Sequence, residues 1–252
     1  MTLKPFWRYY GGKNRSAKLY PQPEHRTIVE PFAGAAGYSC RYPDANVLLI
    51  DVDPIIAGTW DFLIRASAAD IYAIPDCVNV ADLPSGTPQE AIWLVGWWLN
   101  SGTTSPCKQQ SAGRKKMGAA GRKLEYWNGA VKARITDQQP QIRHWRILNA
   151  SYESAQDTRA TWFVDPPYNN RAGSYYRHSG VDFAALGYWC RTRKGQKIVC
   201  ENAGADWLPF SPLGEIRSMK GWSSEVVWIG ERRHWWTSPA RPHWWASPAV
   251  LP

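Results

Sequence analysis

The chain has 252 residues, which suits one α/β domain or one domain carrying an insertion. Apolar residues make up 44% and there are sixteen tryptophans, so a large core is available and disorder over most of the length is excluded. A net charge of +9 speaks of a polyanionic partner without specifying a fold.

In chain order, short apolar runs read as buried parallel strands: "TIV" (27–29), "VLLI" (47–50), "RIL" (146–148), "WFV" (162–164) and "KIV" (197–199). A last run, "EVVWI" (225–229), reads as an edge strand. Helical patterns separate them. "DPIIAGTWDFLIRAS" places Ile56, Trp60, Leu63 and Ile64 on one face. "TPQEAIWLVGWWLNSG" opens on a capping box with Thr87 as N-cap, Pro88 at N1 and Glu90 at N3, and its all-round apolar surface predicts deep burial. "VDFAALGYWCRTRKG" places Phe183, Leu186 and Cys190 on one face and ends at Gly195 as C′ glycine. Alternating strands and helices predict a Rossmann-like, doubly wound, mostly parallel α/β sheet.

Charge is unevenly spread. From Lys108 to Arg146 there are ten Lys/Arg against Glu125 and Asp137, a net of +8, so the rest of the chain is close to neutral. "KQQSAGRKKMGAAGRK" reads as a flexible basic loop. The division expected is a catalytic part over 1–84 and 147–233, a basic insertion over 85–146, and a Trp/Pro-rich tail over 234–252. In that tail "HWWTSPA" recurs as "HWWASPA", and its tryptophans read as packing on the sheet ahead of stacking on bases. The five cysteines are scattered, odd in number and never C-x-x-C, so free thiols are expected, with neither disulfide frame nor zinc site. "MTLKPFWRYYGGK" has no signal-peptide core and no eighteen-residue apolar run exists, so a cytoplasmic chain without membrane contact is expected.

Three stretches carry chemistry. In "TIVEPFAGAAGYS" a strand runs into Phe32-x-Gly34-x-x-Gly37, an echo of a dinucleotide-binding turn that would open a helix. A ligand-free tight turn explains that pattern equally well. "VLLIDVDP" ends in Asp51, about 20 residues on, where an acid can accept from ribose hydroxyls. Helix capping is its other role, and Asp53 is the better cap. In "WFVDPPYNN" Asp165 falls at the carboxyl end of a strand. Two prolines remove two N–H donors and fix two φ angles, so Asp165 and the Pro166 carbonyl form adjacent acceptors suited to an amino group. Tyr168 adds a ring on which a base can stack. A plain rigid turn is the competing reading. Chance gives Asp-Pro-Pro-Tyr on the order of 10⁻³ times in such a chain, which disfavours it.

In family order, "KPFWRYYGGK", "EPFAGAAGYS" (30–39), "LLIDVDP" (48–54), "ILNASYES" (147–154), "DPPY" (165–168) and "SSEVVWIG" (223–230) resemble the motifs of Dam-like DNA adenine-N6 methyltransferases, phage-type members included. The resemblance implies S-adenosylmethionine as cofactor, no metal, duplex DNA as partner with the target adenine flipped out, and a bacterial cytoplasm. It implies cofactor contacts from Tyr9, where the family usually has tryptophan, from Lys13, from Glu30, Phe32 and Gly34 of the glycine turn, and from Asp51 and Asp165. Asp165, Pro166, Pro167 and Tyr168 become the catalytic tetrapeptide. Ser151 departs from the pattern, standing where the family often has an acid near the cofactor's adenine. The basic segment falls where the family carries its DNA-reading insertion, so Arg114, Lys115, Lys116, Arg122 and Lys123 are candidate phosphate contacts. Its flexible cations, with Gln109 and Gln110 as the adenine-type readers, predict relaxed sequence specificity, though "RKLEYWNGAVKAR" could also enter a groove. The same acceptor pair also fits cytosine N4, and a DNA-binding protein with an inactive methyltransferase fold is the reading from another class.

Overall fold

The computed structural model describes residues 2–119, 126–218 and 221–230. Its strands are β1 (Thr27–Glu30), β2 (Asn46–Asp51), β3 (Arg146–Asn149), β4 (Ala160–Val164), β5 (Gly195–Asn202), β6 (Ser211–Ser218) and β7 (Gly221–Ile229). The helices are α1 (Pro54–Arg65), α2 (Ala68–Ala73), α3 (Gln89–Leu99), α4 (Ala112–Ala119), α5 (Gly129–Gln138) and α6 (Phe183–Thr192). One seven-stranded sheet runs β3-β2-β1-β4-β5-β7-β6. The first five strands in that order are parallel, and β7 lies antiparallel to both β5 and β6. The architecture is therefore the doubly wound, mostly parallel α/β sheet that the sequence predicts.

Each strand of the centre is apolar because both faces are covered. β4 is buried at every position. On one face Trp60 of α1, Trp97 and Trp98 of α3, Trp127 and Trp145 join Trp7 in a single core. Their indole N–H groups anchor loops as well: Trp98 donates to the Phe6 carbonyl at 2.9 Å and Trp60 to the Gly34 carbonyl at 2.8 Å. On the other face Trp162 and Leu186, Trp189 and Cys190 of α6 form a second core. Ile56, Trp60, Leu63 and Ile64 of α1 are all buried, as their spacing predicts.

Several expectations are corrected. β3 lies at the edge of the sheet and is mostly exposed, so "RIL" is no buried strand. β7 is internal, because β6 pairs outside it. Thr87 does not cap α3: its hydroxyl donates to the Pro84 carbonyl at 2.8 Å, while Pro88 occupies the cap position with extended backbone. Gly195 is no helix terminator. It opens β5 at φ +94°, and a Cβ there would meet the Ala160 carbonyl. The glycine turn after β1 leads only to a single 3₁₀ turn over Ser39–Arg41. The basic stretch is partly helical, as α4. The 85–146 segment also shares the first core through Leu94, Val131, Ile135 and Ile142. All five cysteines are free thiols. Among the described residues no helix is long and apolar enough to cross a membrane. The tail from 231 onward, with its tryptophan repeat, lies outside the described residues.

Candidate active site

Strand order reverses between β1 and β4, and open α/β sheets bind ligands at the carboxyl ends beside such a point. A cavity of about 620 Å³ lies there. It draws on the Tyr9–Lys13 loop, the turn after β1, the end of β2, the Ser151–Glu153 turn, Asp165 and Pro167, and the Tyr176–Asp182 loop.

The turn after β1 is held from several directions. Asp51, at the end of β2, accepts from the Gly34 amide at 3.0 Å through one oxygen and from the Asp53 amide at 2.9 Å through the other. Gly34 sits at φ +45°, and a Cβ there would lie 3.1 Å from the Tyr9 ring. At Gly37 a Cβ would lie 2.8 Å from the Asn14 backbone nitrogen, so the absent side chain lets the N-terminal loop close against the turn. Ala36 holds φ +47°, a conformation that costs energy outside glycine and marks the turn as over-determined by its surroundings. Asp53 caps α1 by accepting from the Ile55 amide at 2.9 Å, and both Asp51 and Asp53 line the cavity. Burial pushes Asp51 up to about 6, against the pull of its two amide donors.

The Asp165 turn is bound to the N-terminal loop. Lys13 Nζ lies 2.8 Å from Asp165 Oδ1 and donates to the Gly11 carbonyl at 3.3 Å. The same ammonium sits 4.6 Å from the centroid of the Tyr168 ring. Burial pushes Asp165 up to about 6, with Lys13 opposing it. Burial works most strongly against the Lys13 cation, but Asp165 and, after it, Glu225 together with smaller contributions outweigh it and hold the lysine above its ordinary range. The pair is thus ionised at neutral pH. Pro166 is buried and Pro167 lines the cavity. Tyr168 is not part of the cavity wall: its hydroxyl donates to Glu225 at 2.5 Å. Tyr9 packs edge-on against Trp97 at 5.4 Å, and Phe32 stacks on Tyr152 at 5.4 Å.

Glu30 lies in the wall and accepts from the Ser39 amide at 2.7 Å. Burial pushes it up to about 8 despite that hydrogen bonding. The native carboxyl therefore keeps its proton where the unfolded one, near 4.5, has lost it. Its contribution to stability is present below the unfolded value and is lost as pH rises towards 8. Glu30→Gln is accordingly expected to stabilise the ligand-free protein at pH 8 by on the order of 2 kcal/mol and to flatten the pH slope. Urea unfolding at pH 5 and pH 8 measures it, and an unchanged slope refutes it.

Sequence reasoning missed the loop that roofs the cavity. Tyr176 donates to the Tyr10 carbonyl at 3.1 Å, and Arg177 lies 3.6 Å from Asp53. The stretch "SYYRHSGVD" carries no motif, and its position after the Asp165 turn is the one signal available. Tyr152 and Glu153, beside the anomalous Ser151, were missed as well.

The basic segment is less free than its charge suggests. Arg114 is buried and donates to Ser101 at 3.0 Å, so it is no open phosphate contact. Lys132 is buried against Asp76 at 2.6 Å, and Arg134 covers the Trp98 ring at 4.7 Å. Gln110 and Trp127 are buried too, which removes them as base readers. Lys115 and Lys116 are exposed, while Arg122 and Lys123 lie outside the described residues.

No protein-family model matches the chain. No curated protein sequence matches it either. Solved structures do. A "conserved hypothetical protein" of Streptococcus pyogenes aligns over 81% of this chain and 86% of its own, with 11% identity and TM-score 0.32. "Putative methyltransferase yhhF" from Escherichia coli aligns over 81% and 76%, with 12% identity and TM-score 0.33. "Putative methylase HI0767" from Haemophilus influenzae aligns over 82% and 87%, with 11% identity and TM-score 0.33. Likeness at this level carries no argument about the reaction of this chain.

Proposed function

We propose that the chain transfers a methyl group from S-adenosylmethionine to the N6 amino group of adenine in DNA, with relaxed sequence specificity. The observation that carries this reading is one cavity at the sheet's switch point holding both Asp51 with the glycine turn and Asp165 paired to Lys13.

The residues fit such a cofactor. About 620 Å³ matches a pocket for a small organic ligand. Asp51 is fixed by two amides and keeps acceptor capacity for ribose hydroxyls. Phe32 and Tyr152 offer ring surface at one side, and Glu30 and Lys13 supply polar groups at another. When bound, S-adenosylmethionine supplies a methyl group on a sulfonium, which makes the carbon electrophilic without a metal.

The chain's own part is positioning and electrostatics. An aromatic amine is a poor nucleophile because its lone pair is delocalised into the ring. Asp165 accepts one amino hydrogen and the Pro166 carbonyl the other, which favours a pyramidal nitrogen and aims its lone pair. Lys13 keeps Asp165 ionised and so able to accept. The nitrogen gives up one proton as it gains the methyl, and Asp165 is the base in contact with it. Bringing the adenine out of the stack costs a few kcal/mol, which stacking on aromatic side chains partly recovers.

Calorimetry tests the cofactor half. The wild type is expected to bind S-adenosylmethionine. Asp51→Ala is expected to weaken binding about tenfold while slowing turnover at saturating cofactor far less, because ribose contacts are alike in ground and transition states. An unchanged affinity in Asp51→Ala moves the ribose contact elsewhere.

Relaxed specificity gains support from the burial of Gln110 and Trp127 and from the engagement of Arg134. Lys115 and Lys116 are then sequence-blind phosphate contacts. Lys115→Gln with Lys116→Gln is expected to weaken DNA binding on all sequences alike and to flatten the log-affinity against log-salt slope by roughly 0.9 per contact. Parallel lines for variant and wild type contradict this.

A further inference from the structure

The segment after Asp165 is gripped from both faces of the sheet by carboxylates of adjacent strands. Glu225 of β7 pairs in register with Asn202 of β5, while Glu201 of β5 pairs with Val226 of β7. Register partners share a face and successive residues alternate, so the two acids point to opposite sides. Glu201, 1% exposed, accepts from the Asn169 amide at 3.1 Å, from Trp207 Nε1 at 3.1 Å and from the Asn202 amide at 2.8 Å. Glu225, 8% exposed, accepts from Tyr168 at 2.5 Å and from Tyr20 at 3.2 Å.

A buried carboxylate is costly, and a phenol needs only a neutral acceptor to be satisfied. A charged acceptor makes a shorter and stronger hydrogen bond. It fixes the far end of the Tyr168 ring, while the Lys13 ammonium lies 4.6 Å from the ring centroid. Tyr20 braces Glu225 from the other side, and Tyr20 itself packs edge-on against Phe163 of β4 at 5.2 Å. The hydroxyl of Tyr168 is therefore tied through Glu225 to β7, which is separated by β5 from the strand that delivers Asp165.

We propose that Glu225 is a positioning residue for methyl transfer, acting through the Tyr168 hydroxyl to hold that ring against the Lys13 ammonium and so to fix the Lys13–Asp165 pair and the turn that carries it. This rests on the adenine-N6 reading above. The role is one of aim: with Asp165 held slightly off its line the reaction is slow even though both substrates bind.

A double-mutant cycle tests it, with Glu225→Gln, Tyr168→Phe and the combination assayed on the full chain. S-adenosylmethionine affinity is measured by calorimetry and kcat on DNA at saturating concentrations. Both single variants are expected to keep cofactor affinity within twofold and to lose about tenfold in kcat, since small misplacements of reacting groups cost that much or more. Tyr168→Phe keeps the ring and removes only the hydroxyl, so it reads the link even where Glu225→Gln folds poorly. In the Tyr168→Phe background Glu225→Gln is expected to add less than a twofold loss. Full kcat in either single variant, or losses that multiply in the double, overturn the proposal. A wild type that binds cofactor and methylates no DNA overturns the reaction itself, and this role with it.

Discussion

Asp165→Ala is expected to lower methyl transfer at least about 100-fold at saturating cofactor and DNA, because removing one preorganised acceptor at a reacting group costs two to three orders of magnitude. Asp165 is a half-buried end-of-strand acid whose proton affinity, about 6, still leaves it charged near neutrality. Cofactor affinity is expected to fall much less, since Asp51 and the glycine turn remain in place. Single-turnover assays beside calorimetry separate the two. A variant that retains more than about a tenth of wild-type turnover contradicts the acceptor role.

The second large effect concerns Lys13. Without its ammonium, Asp165 is left buried near Glu225 and Glu201, both of which also push it upward. Lys13→Met is therefore expected to raise Asp165 from about 6 towards or past neutrality. Removing one partner of a buried pair also costs a few kcal/mol of stability. The sign for activity follows directly. The active form is the carboxylate, so the acid limb of the kcat profile lies near pH 6 in the wild type and moves to higher pH in the variant. Activity at pH 7 is expected to drop about tenfold or more and to recover partly by pH 9. A pH–rate profile whose acid limb does not move contradicts the pairing's role.

Much of the fold was legible because parallel strands buried on both faces must be apolar runs. β1, β2, β4 and β5 all contain one. β6 was not legible: Pro212 and Gly214 interrupt "SPLGEIRS", and its ladder with β7 shifts register between them. That omission made β7 look like an edge. β3 misled in the opposite way, since three apolar residues need not be buried when the strand closes the sheet.

At the site, Asp51 and Asp165 were readable as acids ending apolar runs. Their partners were not. Lys13 meets Asp165 only through the fold, so residues alone gave no hint of an ion pair and the family resemblance alone pointed to Lys13. Glu225 opens the run "EVVWI", where an acid reads as solvent-facing, yet it turns inward to two phenols. Counting charge overstated the basic segment. Arg114 and Lys132 carry formal charge but spend it inside the molecule, on Ser101 and on Asp76 with the Ile74 carbonyl.

The measurement that bears most directly on the central claim is nucleoside analysis of DNA incubated with the protein and methyl-labelled S-adenosylmethionine. The DNA is digested to nucleosides and the label located by mass spectrometry. The account predicts N6-methyladenosine in the deoxy series, absent with Asp165→Ala and spread over many sequence contexts. Label on cytosine N4, or none in DNA from protein shown to bind the cofactor, contradicts it.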